Sequence, residues 1–144
     1  MTIRKFEFKK SYEEIDIAGG IYKIYLDDES IKKMYTAFEN FNEKAEKLDA
    51  VDVSKLDAKG HIEHFEKQKE LFKECINLIL KDEKAFDVLY INAGKSISNM
   101  VGLLNYLGDI IGEKYIAMKN RDRQAHAQKY APRLVSNKKK GKRK

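Results

Sequence analysis

The sequence predicts a mainly α protein of the α+β class, with about four helices and a small N-terminal β-hairpin or two- to three-stranded sheet. Three observations carry this reading. Residues 1–26 alternate apolar and polar side chains with a period of two and hold a glycine pair. From residue 27 onward the apolar positions shift to three-and-four spacing, the period of a helix. One stretch, Ser96 to about Met118, is apolar around so much of its circumference that other elements must cover it. The chain has 144 residues, enough for one domain with a real core. The expected organisation is a single helical domain over 1–131, its first 27 residues a hairpin, followed by a disordered basic tail over 132–144.

Ile15 and Ile17, then Tyr22, Ile24 and Leu26, alternate with polar residues, and Ala18-Gly19-Gly20 lies between the two runs. Glycines there supply the positive φ that a tight hairpin turn requires. Phe6 and Phe8 alternate with charges in the same way and are read as a third strand. Asp27-Asp28-Glu29-Ser30 opens the first helix, with acids at the positive end of its dipole. Its apolar stripe is Ile31, Met34, Tyr35, Phe38, Phe41, Ala45 and Leu48. A polar break covers residues 49–60, where Ser54 and Asp57 resemble a capping box.

A second long helix runs from there to Leu80, with Ile62, Phe65, Phe72, Ile76, Ile79 and Leu80 inward. Its outer side carries Glu63, Lys67, Lys69, Glu70 and Lys73, with Glu63–Lys67 spaced as an i,i+4 pair. Lys81-Asp82 ends it. A short helix follows with Phe86, Leu89 and Tyr90 or Ile91 inward, stopped by Asn92-Ala93-Gly94, and Ser96 caps the next.

That next helix is the centre of the chain. Its main stripe is Ile97, Met100, Val101, Leu104, Leu107, Ile111, Tyr115 and Met118, widened by Leu103, Tyr106 and Ile110. What remains is a strip of small and polar residues: Ser98, Gly102, Asn105, Asp109 and Gly112. Gly102, Gly108 and Gly112 each cost about 1 kcal/mol against alanine in a helix. Close approach of another backbone would offset that, either within the domain or from a partner helix lying in the notch. The candidate partner contacts are Gly102, Asn105, Tyr106, Asp109 and Gly112, with Arg121 and Arg123 adding charge. Beyond Met118 the helix turns polar, and Pro132 ends regular structure.

No apolar run reaches the about 18–20 residues of a membrane span, and the opening MTIRKFEFKK lacks the apolar core of a signal peptide. The one cysteine, Cys75, fits a reducing compartment, so the host cell cytoplasm is the expected location. Gly94-Lys95-Ser96 matches the end of a phosphate-binding loop, but position 89, where that loop needs glycine, is leucine. His61, His64 and Cys75 do not have the spacing of a zinc site, since three helical turns separate the last two. They read as two surface histidines and a packed thiol. No motif groups a nucleophile with a base. The expectation is a non-enzymatic protein without a cofactor.

The net charge is +6, yet residues 133–144 alone hold seven cations and no acid, which leaves −1 for residues 1–132. Any nucleic-acid contact therefore belongs to the tail, through Lys138, Lys139, Lys140, Lys142, Arg143 and Lys144. A solubilising tail is the other reading, and the absence of aromatics after Tyr130 gives no support to base stacking.

A hairpin ending in IDIAGGIYKIYLDD, then IKKMYTAFENF, KQKELFKECINLIL, FDVLY and GKSISNMVGLLNYL, resembles in order and wording the small tail assembly chaperones of long-tailed phages and prophages, over about residues 3–118. The resemblance implies a mostly helical, non-enzymatic protein. Its implied partners are the tape measure protein, kept soluble as an apolar coiled-coil-prone chain, and the tail tube protein that assembles around it. A homo-oligomer is compatible with so much apolar helix surface. In that family a longer form often arises by translational frameshifting, and Lys138-Lys139-Lys140 would be coded by an A-rich run of the kind that slips. The alternative is a small nucleic-acid- or ribosome-associated module that uses the basic tail.

Overall fold

The computed structural model describes residues 2–130, with side chains described as far as Gln124. The elements are β1 (Tyr12–Ile17), β2 (Gly20–Tyr25), α1 (Asp28–Asp49), α2 (Ala58–Leu80), α3 (Ala85–Asn92) and α4 (Ile97–Tyr130), with a 3₁₀ turn at Val53–Lys55. The expected architecture, mainly α with a small antiparallel sheet, is the one observed. Pro132 and the tail over 132–144 lie outside the described residues.

The hairpin is tighter than its glycines alone imply. Ile17 pairs with Gly20, so the turn is Ala18-Gly19 and Gly20 belongs to β2. Both turn residues have positive φ, 52° and 89°, as a two-residue turn matching the strand twist requires. Asp16 accepts the Gly19 amide hydrogen at 2.9 Å and holds the turn. The third strand does not form. Residues 2–10 pair with neither β1 nor β2, and Phe6 and Phe8 pack only on each other, edge to face. Alternation marks an amphipathic segment there, but among the described residues nothing stands opposite its apolar face.

Asp27 caps α1 by accepting the Ser30 amide hydrogen at 3.1 Å. Hydrogen bonds from the Ser30 side chain and then its backbone hold the Asp27 carboxyl below its ordinary range. The start of α2 is capped by Asp57, which accepts from the Gly60 amide at 2.7 Å; Ser54 instead sits in the 3₁₀ turn, capped by Asp52. A single carboxylate at the right position thus replaces the expected box. Lys81 closes α2 in the left-handed conformation (φ 51°). Asn77 then pins the start of α3, donating to the Glu83 carbonyl at 2.9 Å and accepting from the Phe86 amide at 2.8 Å.

α1 and α4 run antiparallel. Asp28 meets Arg121, Tyr35 stacks on Tyr115 with centroids 4.0 Å apart, and the Phe38 ring faces Gly108. α2 packs antiparallel to α1 on the other side, through Phe41–Phe72 and Lys44–Glu74. α3 rests on α2, and the hairpin lies over α2 and α4 with Glu13 on Lys114. One cluster unites them: Ile15 and Ile24 of the hairpin, Met34 of α1, Ile76 and Ile79 of α2, Phe86 and Leu89 of α3, and Met100, Leu107 and Ile111 of α4.

Several inward assignments change. Ile62 and Phe65 are exposed, because the first turns of α2 run past the start of α4. Only His64 finds a partner there, its Nε2 3.0 Å from the Leu48 carbonyl at the end of α1. A carbonyl only accepts, so Nε2 donates, and His64 is a half-buried capping group rather than a surface histidine. In α3 it is Tyr90 that turns inward and Ile91 that is exposed. In α4, Val101 and Tyr106 are exposed and Leu103 and Ile110 only half-buried, so the helix is covered on one side and not all round. The expected Glu63–Lys67 pair is replaced by Glu66–Lys69.

The buried side of α4 fixes a prediction. Leu107→Ala removes a side chain with no exposed surface and should cost about 2–5 kcal/mol in urea denaturation. Ile116→Ala, on the outward side of the same helix, should change stability by about 0.5 kcal/mol or less. Equal losses would contradict the packing described.

Candidate partner-binding groove

Where α1 and α4 lie side by side, their outer seam is open. α2 and the hairpin cover the opposite side of this helix pair. The seam forms a groove of about 260 Å³ lined by Tyr35, Phe38, Phe41 and Asn42 of α1 and by Leu104, Asn105, Gly108, Asp109, Ile111 and Gly112 of α4. Its floor is aromatic because the α1 stripe turns two rings toward α4. Gly108 leaves room for one of them: a Cβ there would stand 3.4 Å from the Phe38 ring. The stacked Tyr35 and Tyr115 close one end, with Lys119 Nζ 5.6 Å from the Tyr115 ring.

Three of the residues singled out from the sequence, Asn105, Asp109 and Gly112, meet in this groove. The others do not. Gly102 is exposed at the crest of α4, and Tyr106 points outward beside it. Arg121 is spent on Asp28 at 3.5 Å, and Arg123 is exposed farther along α4. Lys138, Lys139, Lys140, Lys142, Arg143 and Lys144 lie outside the described residues. Of the other lining residues, Tyr35, Phe38, Phe41, Leu104 and Ile111 were expected in apolar stripes, Gly108 as a site of close approach, and Asn42 had no expected role. Periodicity gave no signal to separate the two rings from core, since aromatics three residues apart read as part of a buried stripe.

The groove is acidic at its edges. Asp109 lines it, Glu113 follows one turn later on α4, and Glu39 and Glu46 follow Tyr35 and Asn42 at i+4 on the outer side of α1. Among the described residues none of these four exposed carboxylates has a salt-bridge partner, whereas Lys44, Lys73 and Lys114 pair on the covered side of the bundle. An aromatic floor between small residues and carboxylates suits an amphipathic segment whose flanks are basic.

The reactive side chains are elsewhere and already engaged. His64 is held by Leu48, His61 is exposed, and Cys75 is packed in the core. Gly94 and Lys95 take positive φ to turn the chain between α3 and α4, and the Ser96 hydroxyl accepts the Asn99 amide hydrogen at 3.3 Å. No group of three potential metal ligands occurs among the described residues, and no helix among them is long and apolar enough to cross a membrane. Comparison with protein-family models, curated proteins and solved structures gives no match.

The close backbone approach expected at the glycines is absent: a Cβ at Gly102 or Gly112 would meet nothing within 4 Å. Gly102→Ala and Gly112→Ala should therefore each raise the stability of the isolated chain, by up to about 1 kcal/mol in thermal denaturation. A loss at either position would reveal a contact that the fold does not contain.

Burial pushes the Cys75 thiol from its ordinary 9.0 up to about 12. Between those values the unfolded chain has lost the proton and the folded chain retains it, so the thiol's contribution to stability falls as pH rises through that window. Cys75→Ala should flatten this part of the stability–pH curve relative to the parent. Native Cys75 should also react with a thiol reagent only as fast as the chain unfolds.

Proposed function

We propose that this chain is a non-enzymatic phage tail assembly chaperone that holds apolar helical segments of the tape measure protein in the groove between α1 and α4 while tail tube subunits assemble. The observation that carries this reading is the open aromatic seam itself, in which Asn105, Asp109 and Gly112 line the wall over Tyr35 and Phe38. A client with an amphipathic helix needs a surface of this kind: an apolar trough wide enough for side chains, small residues at its edge, and polar groups to fix direction. The chemistry required is binding and release, in the cytoplasm of the host, with no bond made or broken. The mainly helical fold supports the reading, since the resemblance implies a mostly helical protein.

Co-expression with the tape measure protein of the same genome tests this. The parent chain should keep the client in the soluble fraction. Filling the groove with Asn105→Leu and Gly112→Leu should return solubility to that of the client alone, while Tyr106→Ala, outside the groove, should retain the effect. Deleting residues 133–144 should also leave it intact. Loss of client solubility on tail deletion, together with loss of salt-sensitive RNA binding, would favour the nucleic-acid-associated alternative.

A further inference from the structure

Two uncovered surfaces of this chain have complementary character. In residues 2–10, Ile3, Phe6 and Phe8 are 85%, 79% and 88% exposed. The rings of Phe6 and Phe8 pack on each other at 4.9 Å, and Lys5 pairs with Glu7 at 2.8 Å, so the segment alternates an aromatic face with a charged one. Arg4, Lys5, Lys9 and Lys10 against Glu7 give it a net charge of +3. The α1–α4 groove offers the reverse: an aromatic floor at Tyr35 and Phe38, Asp109 in its wall, and Glu39, Glu46 and Glu113 alongside. A cavity of about 150 Å³ accepts a benzene ring, so the groove at about 260 Å³ has room for at least one phenyl side chain.

We propose that residues 2–10 of one copy lie in the α1–α4 groove of a second copy. Phe6 and Phe8 rest on the Tyr35–Phe38 floor, and the flanking cations run along the carboxylate edges. In this structure the segment lies outside its own groove. It leaves the hairpin at Ser11, tied by the Leu26 amide at 2.7 Å, and the hairpin sits against Lys114. Lys114 and the groove residue Gly112 are two positions apart on α4, which places them on nearly opposite sides of the helix. Reciprocal exchange between two chains forms every contact twice and closes the assembly as a symmetric dimer. The inference rests on the groove being a binding surface, as in the reading above. Its test contains no client, so either can fail while the other stands.

Sedimentation equilibrium of the full chain should show a reversible dimer that weakens with added salt. Phe6→Ser with Phe8→Ser, which alters no core residue, should give a monomer with an unchanged circular dichroism spectrum. Asp109→Lys should raise the dimer dissociation constant at least about tenfold. Mixing a Glu7→Cys chain with an Asn105→Cys chain should give a disulfide between chains on oxidation, with Cys75 buried and silent. A parent chain that stays monomeric at every concentration overturns the proposal. So does a dimer that survives the double serine change, or a disulfide that forms only within one chain carrying both cysteines.

Discussion

The fold depends on the burial of one side of α4. Met100, Leu107, Ile111 and Met118 are almost wholly removed from water, and each such side chain contributes roughly 1.5–3 kcal/mol. No other element could stand without that surface. A two-stranded hairpin is marginal in water, and a helix the length of α3 is too short to form alone. Both hold their shape because their apolar residues join the cluster built on α4 and α2. α1 completes it from one side. Among the described residues no further element covers the far side of the α1–α4 pair.

The charges follow the same division. Cations pair across α1–α2, α2–α3 and α4–β1, at Lys44–Glu74, Lys73–Asp87 and Lys114–Glu13. All three pairs are at least partly exposed, and such pairs are worth about 1 kcal/mol or less. None of the three engages Asp109, Glu39, Glu46 or Glu113, which have no salt-bridge partner among the described residues. The trough is apolar, with Asp109 in its wall and Lys119 at its Tyr115 end.

Most of the fold was legible in the sequence because its signals are local. The acid at the start of α1, the Asn92-Ala93-Gly94 stop and the change from period two to period three-and-four each report a nearby backbone conformation. The misreadings share another cause. Periodicity says which residues share a face and is silent on whether anything lies opposite. Phe6 and Phe8, Ile62 and Phe65, and Tyr106 all sit on correctly identified faces that nothing covers. The candidate site was half legible for the same reason. Asn105, Asp109 and Gly112 stood out as small or polar residues on an apolar helix, whereas Tyr35 and Phe38 were indistinguishable from core until α4 was seen to leave them half-exposed.

The residues that looked most like chemistry prove instructive in another way. Leu89, where a phosphate loop would need glycine, is a core side chain, and the Gly94-Lys95 conformation is used to reverse the chain. His64 adds a side-chain hydrogen bond to the Leu48 carbonyl at the end of α1, which also accepts from the Val51 amide, and Cys75 is held neutral by burial. Each of these groups is already committed to making the bundle close. Near the groove, Asp109, Glu39, Glu46 and Glu113 have no ion-pair partner among the described residues. Aromatic rings stay half-exposed in the trough, and Gly102 and Gly112 stand where alanine meets no obstacle. These features gather along α4 and its seam with α1.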